Sequence, residues 1–154
     1  MNIYLVQHAE AKSKEEDPQR SLTDNGRHDV QAVAALAAKL GVQVNQIRHS
    51  GKTRARQTAE ILGEALSPPG GVIAVSGLNP LDDVRAITIE LATAGQPLML
   101  VGHLPFMEQL AGQLLADDDE RAVVKFTRAG MVNLARTDSG WQVVWVITPE
   151  IARV

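Results

Sequence analysis

Short apolar runs alternate with amphipathic stretches along most of the chain, and this alternation limits the folds it can adopt. Each run has the length of a strand, and each stretch carries apolar residues at helical spacing. Strands that alternate with helices build a mainly parallel sheet with helices on both faces, so an α/β fold is predicted. The predicted strands of this part are residues 3–6, 44–48, 72–75 and 98–102.

The predicted helices have recognisable ends. Thr23 is a suitable N-cap for the first helix, and Gly41 is a suitable residue to end it. Ser50 can cap the second helix, which the run of prolines and glycines at 68–71 breaks. The remaining helices are predicted over residues 82–94 and from Pro105 at the first helical position.

The last third of the chain shows strands without intervening helices. Residues 123–126, 131–135 and 141–146 are predicted as strands, which favours an antiparallel edge on the parallel sheet. Strand periodicity places Trp141, Val143 and Trp145 on one face, as core or edge cover. Residues 1–154 are therefore interpreted as a single α/β domain.

Composition excludes several classes of function. The chain has 154 residues, a net charge of −3 and no basic surface of the kind that binds nucleic acid. It has no cysteine, which excludes disulfides, thiolate zinc sites and cysteine nucleophiles. No apolar run approaches membrane-spanning length, and the first residues do not resemble a signal peptide. A cytoplasmic protein without membrane association is expected.

Two histidines follow two of the predicted strands. His8 comes after strand 3–6, and His103 comes directly after strand 98–102. The C-terminal ends of parallel strands form one edge, where ligands bind in α/β sheets. Two imidazoles at that edge are consistent with a nucleophile and a partner, although spacing alone leaves a structural role for each equally open.

Two arginines are placed where an anion could bind. Arg54 lies in the first turn of the second helix, and Arg20 lies just before the first helix. A cation in the first turn opposes the helix dipole unless an anion is nearby. Since Lys52 and Arg56 flank Arg54, a solvated basic patch explains the pattern equally well. Metal deaminase, serine hydrolase and P-loop motifs are absent or incomplete.

Four segments resemble, in order, motifs of the histidine phosphatase (phosphoglycerate mutase-like) superfamily. The sequence IYLVQHAEA resembles its R-H-G-[ED]-A opening, and RSLTDNG resembles its R-x-L-T-x-x-G segment. The sequence SGKTRARQTA resembles S-x-x-x-R-A-x-Q-T-A, and VGHLP resembles the second histidine segment. The short length, with no large insertion between the third and fourth strands, resembles the small SixA-type phosphohistidine phosphatases.

The resemblance implies an activity and a role for each matching residue. It implies hydrolysis of phosphohistidine on a protein substrate, with neither metal nor cofactor. His8 would be the nucleophile that takes up the phosphoryl group, and His103 would complete the pocket and stabilise charge. Phosphate oxygens would be bound by Arg54 and Gln7, with Arg20 at the rim.

Gln7 and Ala9 stand where the superfamily has arginine and glycine. An amide donates neutral hydrogen bonds, which are about half as strong as those of a guanidinium. A degenerate member that binds phosphate or a phosphoprotein without efficient turnover is therefore an alternative. A small-molecule phosphomonoesterase is another, and would need a positioned acid. Glu10 is interpreted as a structural or capping partner instead of that acid.

Overall fold

The computed structural model describes residues 1–154 and contains one sheet flanked by helices. Six strands and five helices follow one another along the chain. The strands are β1 (Asn2–Gln7), β2 (Gln46–His49), β3 (Val72–Ala74), β4 (Leu98–Gly102), β5 (Met131–Thr137) and β6 (Gly140–Ile147). The helices are α1 (Asp24–Lys39), α2 (Thr53–Leu66), α3 (Arg85–Thr93), α4 (Phe106–Ala116) and α5 (Pro149–Ala152).

The sheet has the order β3-β2-β4-β1-β5-β6. The first four of these strands are parallel, whereas β5 and β6 are antiparallel to their neighbours, which confirms the predicted α/β sheet with an antiparallel edge. Gln7 of β1 lies opposite Gly102 of β4, so the residues that follow both strands meet at one edge. None of the helices has the length and apolar character needed to cross a membrane.

Two apolar layers hold the helices to the sheet. Alternate residues of β1 serve the two layers, with Tyr4 and Val6 on one side and Ile3 and Leu5 on the other. The first layer packs against α1 and α2, and the second against α3 and α4. Full burial of such a side chain stabilises the fold by about 1.5–3 kcal/mol. The sheet that carries the histidines is thus covered on both faces.

The helix ends follow the predicted signals in part. Thr23 caps α1, since its Oγ1 accepts a hydrogen bond from the Gly26 N–H at 2.9 Å, and Gly41 follows the helix with a φ of +74°. The predicted cap at Ser50 is wrong, because α2 begins at Thr53 and Lys52 occupies the cap position. Pro105 occupies the position before α4 instead of its first turn.

Residues 123–126 are not a strand, contrary to the prediction. Only Phe126 is buried there, and it packs into the second apolar layer. A further strand could not pair with β1, because β4 lies along one side of it and β5 along the other. The apolar pattern here therefore marks side chains that anchor a loop, Phe126 and the partly buried Val124, and not a strand.

The prediction that Trp141, Val143 and Trp145 share a face is also wrong. The register between β5 and β6 shifts after Asn133, so that Trp145 lies opposite Asn133 and Val143 lies opposite Leu134. Such a bulge reverses the side on which later residues point. Trp145 packs near Tyr4 in the first layer, with ring centroids 5.8 Å apart, whereas Trp141 packs in the second.

Replacing Gly26 with alanine is expected to destabilise the fold. A Cβ at this position would overlap the carbonyl oxygen of Glu10. Forcing backbone apart costs about 1–3 kcal/mol of the free energy of unfolding. Urea denaturation checks this, with Gly95→Ala as the matched control, because a Cβ on Gly95 meets no atom within 4 Å. Equal unfolding midpoints for the two variants would contradict the assigned contact.

Candidate active site

His8 is held with one ring nitrogen free. Its backbone N–H donates to the Gly102 carbonyl at 2.9 Å, which joins the ends of β1 and β4. Its Nδ1 lies 2.8 Å from the Ala9 carbonyl oxygen. A carbonyl only accepts, so Nδ1 carries the hydrogen, and the neutral ring has its lone pair on Nε2. The ring is therefore oriented and has a nucleophilic nitrogen available.

The surroundings keep the His8 imidazole neutral. Burial lowers its pKa from 6.5 to about 4, and the bond to Ala9 opposes this in part. The positive charges of Arg54, Arg20 and Arg128 lower it further. Three guanidinium groups thus act on one imidazole, and near neutral pH the ring carries no proton on Nε2.

His103 lies beside His8, as the sequence predicts. The two ring centroids are 5.1 Å apart, and His103 is almost fully buried. Burial lowers the pKa of His103 to about 3, with smaller contributions from nearby positive charge. The structure thus brings both predicted histidines to one place, each in its neutral form.

Ser50 contacts His103 instead of capping a helix. Its Oγ lies 2.7 Å from His103 Nε2 and also accepts from the Lys52 N–H at 3.3 Å. The Ser50 hydroxyl can donate to this nitrogen or accept from it, so the contact is compatible with both tautomers of His103. The other ring nitrogen, Nδ1, is buried and has no hydrogen-bond partner in the protein.

Unpaired buried polar atoms are concentrated at this edge of the sheet. Four side-chain atoms in the chain are buried without a hydrogen-bond partner, and three belong to residues predicted as site residues. Buried polar groups are nearly always paired in folded proteins, so each exception needs an explanation. An anion beside these residues would explain an unpaired nitrogen such as Arg54 Nε, whereas Gln7 Oε1 only accepts and would need a donor. The four atoms are Gln7 Oε1, Arg54 Nε, His103 Nδ1 and Asn133 Oδ1.

Helix α2 joins three parts of the site. Arg54 lies in its first turn, as predicted. One turn later, the Thr58 hydroxyl accepts from the Ala9 N–H at 3.0 Å and donates to the Arg54 carbonyl at 2.8 Å. Between them, Gln57 Oε1 accepts from the Leu22 N–H at 2.8 Å. Sequence reasoning gave Gln57 and Thr58 no role, although both match the superfamily motif and their spacing from Arg54 places all three near one face of the helix.

Other cations surround the two histidines. Arg20 has a left-handed backbone (φ +53°), and its Nε donates to the Lys12 carbonyl at 3.1 Å. Burial and then the charge of Arg20 lower the pKa of Arg54, so these guanidinium groups repel each other. Lys52 acts on His103 and Arg128 on His8. Sequence reasoning missed Arg128, which follows a stretch with no recognisable motif.

The two residues that depart from the superfamily pattern are accommodated. Gln7 is only 9% exposed, so its amide is part of the buried end of β1. Ala9 is fully buried in the first apolar layer, and its N–H keeps the bond to Thr58. The added Cβ of Ala9 therefore packs in the core.

The acidic residue nearest His8 in sequence is already engaged. Glu10 Oε1 accepts from the Thr23 hydroxyl at 2.7 Å, next to the start of α1. This contact agrees with the structural role inferred for Glu10. Nowhere in the chain do three or more His, Asp or Glu side chains gather as a set that could hold a metal ion.

Comparison with known proteins identifies the family. The sequence model of the histidine phosphatase superfamily (branch 1) matches residues 3–82, a little more than half of the chain. The chain belongs to this superfamily. It is 24% identical over 145 residues to the phosphohistidine phosphatase SixA of Escherichia coli, covering 91% of this chain and 88% of that protein. An uncharacterized protein of Picosynechococcus sp. is 32% identical over 142 residues, covering 87% and 84%.

Solved structures show the same fold. The protein histidine phosphatase SixA complexed with tungstate superposes with a TM-score of 0.83, at 23% identity and 97% coverage of both chains. The superfamily sheet and helices are thus shared over essentially the full length described here.

Proposed function

We propose that this chain is a phosphohistidine phosphatase that acts on proteins through a phospho-His8 intermediate. The observation that carries the proposal is the free Nε2 of His8, which has the His103 ring 5.1 Å away and the charge of Arg54 nearby. Membership of the histidine phosphatase superfamily supports the reaction class. Similarity to SixA supports phosphohistidine as the substrate, and the tungstate in a SixA structure supports an oxyanion site in this fold.

In the first step, the lone pair of His8 Nε2 forms a bond to phosphorus. The substrate imidazole takes a proton from solvent as its P–N bond breaks, and the substrate nitrogen keeps the electron pair. Charge on the phosphoryl oxygens is stabilised by the Arg54 guanidinium, with neutral hydrogen bonds from Gln7 and His103. Positioned donors of this kind supply much of the rate in transfer reactions.

In the second step, water attacks the phosphorus of phospho-His8. The P–N bond breaks, His8 Nε2 keeps the electron pair, and the proton of the water goes to solvent. Inorganic phosphate leaves and neutral His8 is restored. The bond from Nδ1 to the Ala9 carbonyl holds the ring in one tautomer through both steps.

The proposed substrate follows from the leaving group. An imidazole leaves readily once protonated, whereas an alkoxide needs a positioned acid. Glu10 Oε1 accepts from Thr23 at the start of α1, which favours a structural role for Glu10 over that of the acid. We therefore expect phosphohistidine peptides to be hydrolysed faster than phosphoserine peptides or sugar phosphates.

Side-by-side phosphate release from these three substrates tests the proposal, with His8→Ala as the blank. The reaction should also persist after thorough chelation, because Arg54 is proposed to provide the charge stabilisation. A clear preference for an alkyl phosphomonoester would move the chain to the small-molecule class. Recovery of lost activity with one divalent ion would contradict metal independence.

His8 should be phosphorylated at an undiminished rate in mildly acidic solution. Only the neutral imidazole attacks, and its pKa is about 4 instead of 6.5, so the rate should fall only as the pH approaches that value. The folded state also binds fewer protons than the unfolded chain between these values, so stability decreases as pH falls through this window. Rapid-quench measurements across this pH range check how the rate of His8 phosphorylation depends on pH. A half-maximal rate near 6.5 would contradict it.

Gln7→Arg should increase kcat/KM for the phosphohistidine peptide. A guanidinium would add a charged donor where the amide offers a neutral one, which predicts a gain of roughly ten- to a hundredfold. Gln7→Leu, which removes the donor, should lower the same constant. No gain in Gln7→Arg, together with tight orthovanadate binding by both proteins, would favour the alternative in which the chain binds phosphate without turnover.

A further inference from the structure

The loop before β5 is fixed against the end of β1. The Ala129 N–H donates to the Gln7 carbonyl at 2.9 Å, and the Gly130 N–H donates to the Thr127 carbonyl at 2.8 Å. Ala129 is fully buried and has a left-handed backbone with a φ of +63°. The backbone of Arg128 is therefore fixed near the end of β1, close to Gln7 and the proposed nucleophile.

The charge of Arg128 has no partner in the protein. Arg128 is exposed and takes part in none of the four ion pairs of the structure. It lines a polar cleft of about 300 Å³ whose other charged residues are Glu10, Asp29, Glu150 and Arg153. Glu10 is bonded to Thr23 there, and Arg153 is paired with Asp29. None of the three carboxylates of this cleft forms an ion pair with Arg128, so its guanidinium is available to an anion.

Arg128 could supply a positive charge that Gln7, at the end of β1, does not carry. Position 7 carries an amide, so the strand end itself contributes no positive charge to the site. Arg128 enters the same region from another segment, and its charge acts on His8 together with those of Arg54 and Arg20. Two distant segments thus bring an uncharged donor and a guanidinium to one place.

We propose that Arg128 binds a phosphate oxygen and supplies the positive charge that Gln7 lacks. The proposal deepens the proposed function, on which it rests, by adding a binding residue from outside the four matching segments. One guanidinium bond to an oxyanion accounts for roughly a ten- to hundredfold change in affinity. Arg128→Gln should therefore weaken binding of orthovanadate by this factor.

Calorimetric titration with orthovanadate tests the role without requiring turnover. Arg121→Gln is the matched control, since Arg121 is also exposed and unpaired but lies on the loop after α4. Arg128→Lys should retain part of the affinity, because it keeps the charge but loses the planar fork. If Arg128 replaces a charge at position 7, the loss caused by Arg128→Gln should shrink to about threefold or less in a Gln7→Arg background.

Three results would overturn the proposal. One is a change in orthovanadate affinity no larger in Arg128→Gln than in Arg121→Gln, and another is an equal loss in the presence and absence of Gln7→Arg. The third is no orthovanadate binding by the unmodified protein. Failure of the proposed function has a different signature, in which the protein binds orthovanadate but forms no phospho-His8. In that case a selective loss in Arg128→Gln still supports the anion-binding role.

Discussion

Replacing His8 with alanine is expected to abolish the phosphoenzyme and to reduce turnover by roughly a thousandfold or more. The alanine variant has no atom to accept the phosphoryl group, and no other imidazole is presented in the same way. His103 is almost fully buried and its Nε2 is bonded to Ser50. Rapid quench with labelled phosphohistidine peptide should yield an acid-labile, base-stable adduct that maps to His8 in the unmodified protein.

His28→Ala is the control for this experiment, because His28 is an exposed histidine on α1. It should leave both the adduct and turnover unchanged. Full activity of His8→Ala, or an adduct that maps to another residue, would sink the proposed mechanism. An unmodified protein that binds orthovanadate but forms no adduct would support the binding-only alternative.

Arg54→Ala is expected to weaken orthovanadate binding by roughly a thousandfold, since a guanidinium can make two charge-assisted bonds to one oxyanion. Arg54 takes part in none of the four ion pairs of the protein, so the substitution breaks no internal ion pair. The variant also relieves the repulsion between Arg54 and Arg20. Its free energy of unfolding should therefore be unchanged or higher while anion binding is lost.

Arg56→Ala is the matched control on the same helix, because Arg56 pairs with Glu60 on the surface. Breaking such a surface pair should cost less than about 1 kcal/mol of stability and leave anion affinity unchanged. Calorimetry and urea denaturation of both variants give the two readouts. If Arg54→Ala retained affinity, or lost it only in proportion to stability, the arrangement of the anion site would be wrong.

The location of the histidine pair could be predicted from sequence for a general reason. Both histidines follow apolar runs, and the ends of parallel strands meet at one edge whichever strands are neighbours. That β4 lies directly beside β1 depends on packing of the whole sheet. This adjacency brings the two ring centroids to 5.1 Å, and the pairing of β2 with β4 places Ser50 against His103.

Local patterns were misleading where tertiary contacts decided the outcome. Strand periodicity placed Trp141 and Trp145 on one face, but a single unpaired residue in β6 puts them on opposite sides of the sheet. Arg128 follows a stretch without a motif, and only the bond from Ala129 to Gln7 shows that it belongs near His8. Side chains that reach a site from an irregular loop leave no periodic signal.

Several segments of the site are attached to α2, so substitutions and insertions in this helix should differ in their effect on the site. Arg54, Gln57 and Thr58 act from one rigid element, so their relative positions depend on helical spacing alone. Inserting one residue within this stretch would turn everything after it by about 100° around the helix axis. Substitutions at outward positions such as Glu64 leave that geometry intact. Divergence along this helix should therefore proceed by exchange of residues and almost never by a change in its length.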